Sequence, residues 1–145
     1  MNVEMLGQIG VGASFLFAAV GSVVGAFVVG SATVGAWKKC YIQNKPAPFI
    51  MVAFAGAPLT NPIYGFILMN NALSVSENLT DIQIFFMGTV AGIVLGLSAY
   101  FQAKVAAAAS EAYAETGQGF GNNMMLVGLC ETIALFTMVF TMLVA

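Results

Sequence analysis

Four apolar runs, each long enough to cross a bilayer as a helix, constrain this chain more than any other feature. A hydrocarbon core of about 30 Å takes about 20 apolar residues at helical rise. The runs cover roughly 9–37, 49–73, 82–110 and 122–145. Between them lie "KKCYIQNKPAP", "SVSENLTD" and "EAYAETGQGFG", which are polar and, in two cases, rich in helix breakers. The pattern predicts an all-α membrane protein of four transmembrane helices, arranged as two helical hairpins (about 9–73 and about 82–145) in one membrane domain over 1–145.

Composition fits no other class. The chain is 60% hydrophobic and 7% charged, where a soluble domain carries about 25% charged residues. It has no His, and its basic residues are Lys38, Lys39, Lys45 and Lys104. That argues against a His-based metal site, a Ser/His triad and an Arg-lined phosphate or nucleic-acid surface, and no resident cofactor is expected. Cys40 falls in a connection and Cys130 in mid-membrane, so both read as free thiols. The start "MNVEMLGQ" lacks a basic n-region, and the lysine pair follows the first run, so that run reads as a retained span.

Three of the four lysines sit in the first connection. This places loops 38–48 and 111–121 on the cytoplasmic side, with both termini and the middle connection outside. Glu77 and Asp81 are compatible with an outer loop. The hairpins also carry a worn internal match. Gly21 and Gly25 align with Gly92 and Gly96 at an offset of 71, and Thr60 with Thr132 at 72. Under the second offset Glu131 falls opposite Leu59, so the acid belongs to the second hairpin alone.

The first run carries Gly21, Gly25, Gly30 and Gly35, and the third carries Gly88, Gly92 and Gly96. Small residues one turn apart let helix backbones approach closely in lipid. The stripes fit ordinary transmembrane packing or the crowded inner wall of a ring of subunits, with the bulkier second and fourth runs outside.

Glu131 lies in the middle of "MMLVGLCETIALFTMVFTMLVA". A charged acid at that depth costs roughly 2.5–3.5 kcal/mol on insertion scales, so its default reading is functional. Counting outward from the connections gives depth. Glu131 and Gln102 stand at similar distances from Gly117, and Thr60 and Asn61 at that distance beyond Lys45. At 1.5 Å per residue Glu131 and Gln102 lie about 21–23 Å from the turn at Gly117, and Thr60 and Asn61 share their side and depth. Thr60, Asn61 and Tyr64 follow a spacing that can share a helix face. Pro58 and Pro62 free the carbonyls of Phe54 and Pro58 from their helical donors, and such breaks accompany ion sites in membranes. The layer offers oxygen: a carboxylate, two amides, a hydroxyl and a phenol. Hard cations prefer such shells, which points towards Na⁺, while H⁺ needs only the carboxylate. Lys104 reads as snorkelling towards the headgroups, the other option being an ion pair with Glu131.

These stretches, "PLTNPIYGF" (58–66), "FQAKVAAAAS" (101–110) and "GLCETIALF" (128–136), resemble the duplicated proteolipid rotor subunit of V-type rotary ATPases over essentially the whole chain. The resemblance implies that Glu131 carries the ion. It implies that Gln102, Thr60 and the main-chain carbonyl of Ala57 bind Na⁺, and that Tyr64 hydrogen-bonds the carboxylate. Asn61 stands where the sodium branch can have Gln, and Pro62 where Gly is usual. The implied assembly is a homo-oligomeric ring in lipid, with central-stalk subunits at the cytoplasmic loops and a stator subunit supplying an Arg. The implied setting is a bacterial plasma membrane. There is no Gly-Lys-Ser/Thr phosphate loop in the chain, so ATP chemistry would lie in other subunits. A small four-helix proton-coupled cation exporter using Glu131 is the competing function.

Overall fold

A computed structural model describes residues 3–76 and 78–145; Met1, Asn2, Glu77 and the Val3 side chain lie outside it. The described residues form helices and turns with no strand. In lipid only a helix or a closed barrel satisfies every backbone polar group, and these runs take the helical solution. Helix α1 is Val3–Ile42, the second span is built from α2 (Val52–Gly56) and α3 (Asn61–Ser74), and α4 and α5 are Asp81–Thr116 and Phe120–Val144. Among the described residues four spans are long and apolar enough to cross a membrane: Glu4–Ile42, Phe49–Ser74, Asp81–Thr116 and Phe120–Val144.

Two expected connections are partly helical. Residues 38–42 of "KKCYIQNKPAP" continue α1, and residues 111–116 of "EAYAETGQGFG" continue α4. At 40 and 36 residues, α1 and α4 run about 60 and 54 Å at 1.5 Å per residue, well beyond a 30 Å core. Polarity therefore marks where the helices leave lipid, not where they end. Their ends have specific stops. Asn44 is left-handed (φ 53°), and Lys45 N–H and Asn44 N–H donate to the carbonyls of Cys40 and Tyr41 at 2.9 and 3.1 Å, a Schellman closure. Gly117 (φ 65°) ends α4 with its N–H on the Tyr113 carbonyl at 2.8 Å. At the other end of α4, Thr80 and Gln83 form a capping box, with Asp81 in the first turn. Between the two extensions Lys39 meets Glu115 at 3.5 Å; both side chains are exposed, so the pair contributes little.

The hairpins lie side by side with α1 and α4 parallel. Their contacts advance together: Gly10 meets Gly88, Gly21 meets Gly96, Thr33 Oγ1 lies 3.0 Å from Ser110 Oγ, and the Cys40 thiol donates to the Ala114 carbonyl. A Cβ on Gly88 would overlap the Gly10 carbonyl, and one on Gly21 the backbone of Gly96. These glycines let the two backbones touch. The stripe read in the first run is thus two different things. Gly21 and Gly25 face α4 and the second span, whereas a Cβ on Gly30 or Gly35 would meet nothing within 4 Å.

Two apolar clusters fill the bundle. One, towards the lysine-rich end, joins Val29, Ala36, Met51, Phe54, Ala103 and Val127. Phe54 there packs on Phe120 with ring centroids 5.2 Å apart. The other joins Ala18, Leu68, Ala91, Leu95 and Ala134. Along α1, the second span, α4 and α5, the residues between these clusters include Ser22, Pro58 with Thr60 and Asn61, Ser98 with Gln102, and Glu131. A polar layer separates two greasy ones.

Candidate functional site

The second span breaks inside this layer. Pro58 and Pro62 each lack an N–H, and between α2 and α3 the chain makes a 3-10 turn at Ala57–Leu59. Both carbonyls deprived of helical donors find others. The Phe54 carbonyl accepts from Ala57 N–H, a tighter i+3 bond. The Pro58 carbonyl accepts the hydroxyl of Ser22, on α1, at 2.5 Å. Neither carbonyl is therefore a free ligand, contrary to the expectation for such a break.

The residues after the break fan out to three partners. Thr60 Oγ1 donates back to the Ala57 carbonyl at 3.2 Å. Asn61 is fully buried, and its Nδ2 donates to the Leu95 carbonyl of α4 at 2.8 Å. The Tyr64 hydroxyl donates to Glu131 Oε1 at 2.7 Å. From α4, the fully buried Gln102 directs Nε2 at Glu131 Oε2 (3.5 Å) and the Val127 carbonyl (3.4 Å). Both contacts are long for N–H···O. Ser98 Oγ donates to the Cys130 carbonyl at 3.0 Å, pinning α5 next to the acid.

Glu131, Tyr64 and Gln102 thus converge, with both carboxylate oxygens engaged. Thr60 and the Ala57 carbonyl form their own pair on the adjoining turn. Asn61 is drawn towards α4 rather than sharing a face with Tyr64, because a buried amide must place its N–H groups on an acceptor. What remains is informative. Asn61 Oδ1 and Gln102 Oε1 are buried oxygens with no hydrogen-bond partner. An unsatisfied buried acceptor costs roughly 1–3 kcal/mol, and two in one layer leave it short of positive charge or donors. Lys104 does not supply that charge: its side chain is exposed, and among the described residues the ion pair is Lys39–Glu115. No group of three or more His, Cys, Asp or Glu gathers among the described residues.

Residues 85–144, which include α5 and nearly all of α4, match the ATP synthase C-subunit family. The A-type ATP synthase subunit K of Methanocaldococcus jannaschii is 31% identical over 140 residues, 96% of this chain. The second half of the chain is thus similar to that family, and nearly the whole chain to that subunit K. The chain spans 61% of the length of that relative. Four spans long and apolar enough to cross a membrane, together with these similarities, support an integral membrane protein. Gln102, Ser98 and Glu131 lie within the family match, whereas Tyr64, Asn61 and the break in the second span lie before it. The site therefore depends on both hairpins.

Two members of the layer escape the sequence reading, Ser22 and Ser98. Counting equal distances from Lys45 pairs the second span with the wrong part of α1. Pro58 lies thirteen residues after Lys45, and its partner Ser22 twenty-three before it. The second span begins with extended chain and two 3-10 turns, which rise about 2.0 Å per residue against 1.5 Å for α-helix. Fewer residues then reach the same depth. A serine amid "VGSVVG" gives no sign of its own that it caps a carbonyl on another helix.

Proposed function

We propose that this chain is a rotary ATPase proteolipid, an ion-translocating rotor subunit that carries Na⁺ on Glu131. The observation that supports Na⁺ is the pair of buried, unpartnered oxygens, Asn61 Oδ1 and Gln102 Oε1, beside the sole carboxylate of the layer. One carboxylate balances one monovalent charge. The Thr60 hydroxyl and the Ala57 carbonyl add neutral oxygens on the neighbouring turn, and hard cations prefer such a shell. A proton on Glu131 supplies one donor and so satisfies at most one of the two amide oxygens.

Copies of the chain form a ring in lipid. The extended ends of α1 and α4, with Lys38, Lys39 and Lys45, face the cytoplasm and the central stalk, and both termini lie outside. The host is a bacterial plasma membrane. A loaded Glu131 is neutral and passes along lipid. An emptied one is a bare charge in hydrocarbon and must meet water or a stator Arg. Each ion crossing 100 mV exchanges about 2.3 kcal/mol, so rotation sums several ions per ATP handled by other subunits.

Native mass spectrometry and dicyclohexylcarbodiimide labelling of the purified chain test this. The expected result is a large ring, labelling at Glu131, and slowing of that labelling by Na⁺. A monomer or dimer would sink the rotor reading, and labelling sensitive to pH alone would make the cargo H⁺. Gln102→Ala removes one candidate oxygen and one donor. It is expected to raise the Na⁺ concentration for half-protection by roughly tenfold, the equivalent of 1.4 kcal/mol, while Glu131 still labels. Unchanged protection would remove Gln102 from the ligand set.

A further inference from the structure

The hydroxyl of Ser22 reaches across from α1 to the one carbonyl that Pro62 leaves without a donor. Ser22 is 2% exposed and Pro58 is buried, so water cannot substitute. We infer that Ser22 is a positioning residue for the ion site: it holds the break of the second span at the rotation and depth that deliver Asn61 and Tyr64 to the layer. The inference rests on Glu131 being the ion carrier.

The break has fixed points on three helices. Pro58 is tied to α1 through Ser22, Asn61 to α4 through the Leu95 carbonyl, and Tyr64 to α5 through Glu131. Of these, the Ser22 tie alone holds the 3-10 turn itself rather than α3, and it makes no contact with the acid. A buried carbonyl that loses its donor seeks another. The donors close by in sequence are the Thr60 hydroxyl and the Asn61 amide, both of which now serve the layer. Losing the Ser22 hydroxyl therefore draws ligands out of the site rather than merely loosening the bundle.

Ser14 supplies a matched control. It is equally buried on α1, and its hydroxyl serves the Val11 carbonyl at 2.8 Å with a longer 3.4 Å reach to the Gly65 carbonyl of α3. No proline deprives Gly65 of its helical donor, since residue 69 is a methionine. Removing this hydroxyl leaves α3 fully bonded.

The experiment is carbodiimide labelling of Glu131 in the full chain, titrated with NaCl, for the wild type, Ser22→Ala, Ser22→Thr and Ser14→Ala. Ser22→Ala is expected to need roughly three- to tenfold more Na⁺ for half-protection, as one lost hydrogen bond to a buried group implies. Ser22→Thr keeps the hydroxyl and is expected to stay within about twofold of wild type, as is Ser14→Ala. Wild-type protection in Ser22→Ala overturns the inference. So does an equal loss in Ser14→Ala, which would signal general packing damage, and so does failure of Ser22→Thr to retain protection. If the wild type responds to pH and not to Na⁺, the same comparison is read as the pH of half-maximal labelling, and the same three outcomes overturn the inference. No labelling of wild-type Glu131 at all would defeat the ion-carrier reading itself, a result distinguishable from every variant outcome.

Discussion

Glu131→Gln will abolish carbodiimide labelling and ATP-driven ion transport while the protein still folds and inserts. Gln keeps the volume and the hydrogen-bonding reach, so Tyr64 retains an acceptor where it now donates to Oε1. The negative charge is gone, and with it the attraction for a cation in a layer that otherwise offers only neutral oxygens. Transport in reconstituted vesicles should fall to background, and no label should appear at position 131, because the carbodiimide reacts with a carboxyl group and the amide offers none. The bundle should gain slightly, because an ionisable group at the bilayer centre carries a cost of roughly 2.5–3.5 kcal/mol. Thermal unfolding followed by circular dichroism would read that gain. Transport persisting in Glu131→Gln would mean that the ion travels elsewhere.

Gly88→Ala tests the packing that brings the two hairpins together. Its Cβ would sit on the carbonyl of Gly10, a backbone atom that no rotamer change can move aside. The two helices must separate along a line that also holds Gly21 against Gly96 and Ala13 against Gly92. A loss of about 1–3 kcal/mol is expected from such overpacking, despite Ala being a better helix former than Gly by about 1 kcal/mol. Gly12→Ala, where the added Cβ meets nothing within 4 Å, isolates the propensity gain and should raise the unfolding temperature. Opposite signs for two identical substitutions, read by thermal denaturation in one detergent, would establish the close approach. Equal shifts would refute it.

The parallel register of α1 and α4 also bears on the worn internal match. Residues in contact across that pair differ by about 74–79 in number: Gly10 with Ile84 and Gly88, Ala13 with Gly92, Thr33 with Ser110, Lys39 with Glu115. The offsets read from sequence are 71 and 72, about one helical turn smaller. The hairpins thus sit side by side at nearly equal depth but slightly staggered. That stagger sets Gly21 beside Gly96 rather than beside its match, Gly92.

Hydrophobic run length, the absence of histidine and the isolated acid at 131 determined a great deal without coordinates. A chain so apolar has to place four helices in lipid, and a carboxylate retained in mid-span has to be matched by polar neighbours. The shared depth of Glu131 and Gln102 follows from spacing, because helical rise is constant enough along α4 and α5 to convert residue counts into depth, whereas the Tyr64 contact is implied only by the resemblance. The counts fail where the rise changes. The 3-10 turns and prolines of the second span compress the numbering, and this hid Ser22 behind a carbonyl that looked free.

Tertiary structure alone decided which way each side chain turns. Gly21 and Gly30 are indistinguishable in sequence, yet one touches a backbone and the other faces open space. Asn61 and Tyr64 are three residues apart, yet one ties to α4 and the other to α5. Helix rotation is set by the sum of many contacts, none of which dominates along a stretch of apolar residues. The unpartnered oxygens of Asn61 and Gln102 emerge only after every competing hydrogen bond has been assigned, an accounting that requires all four spans in place.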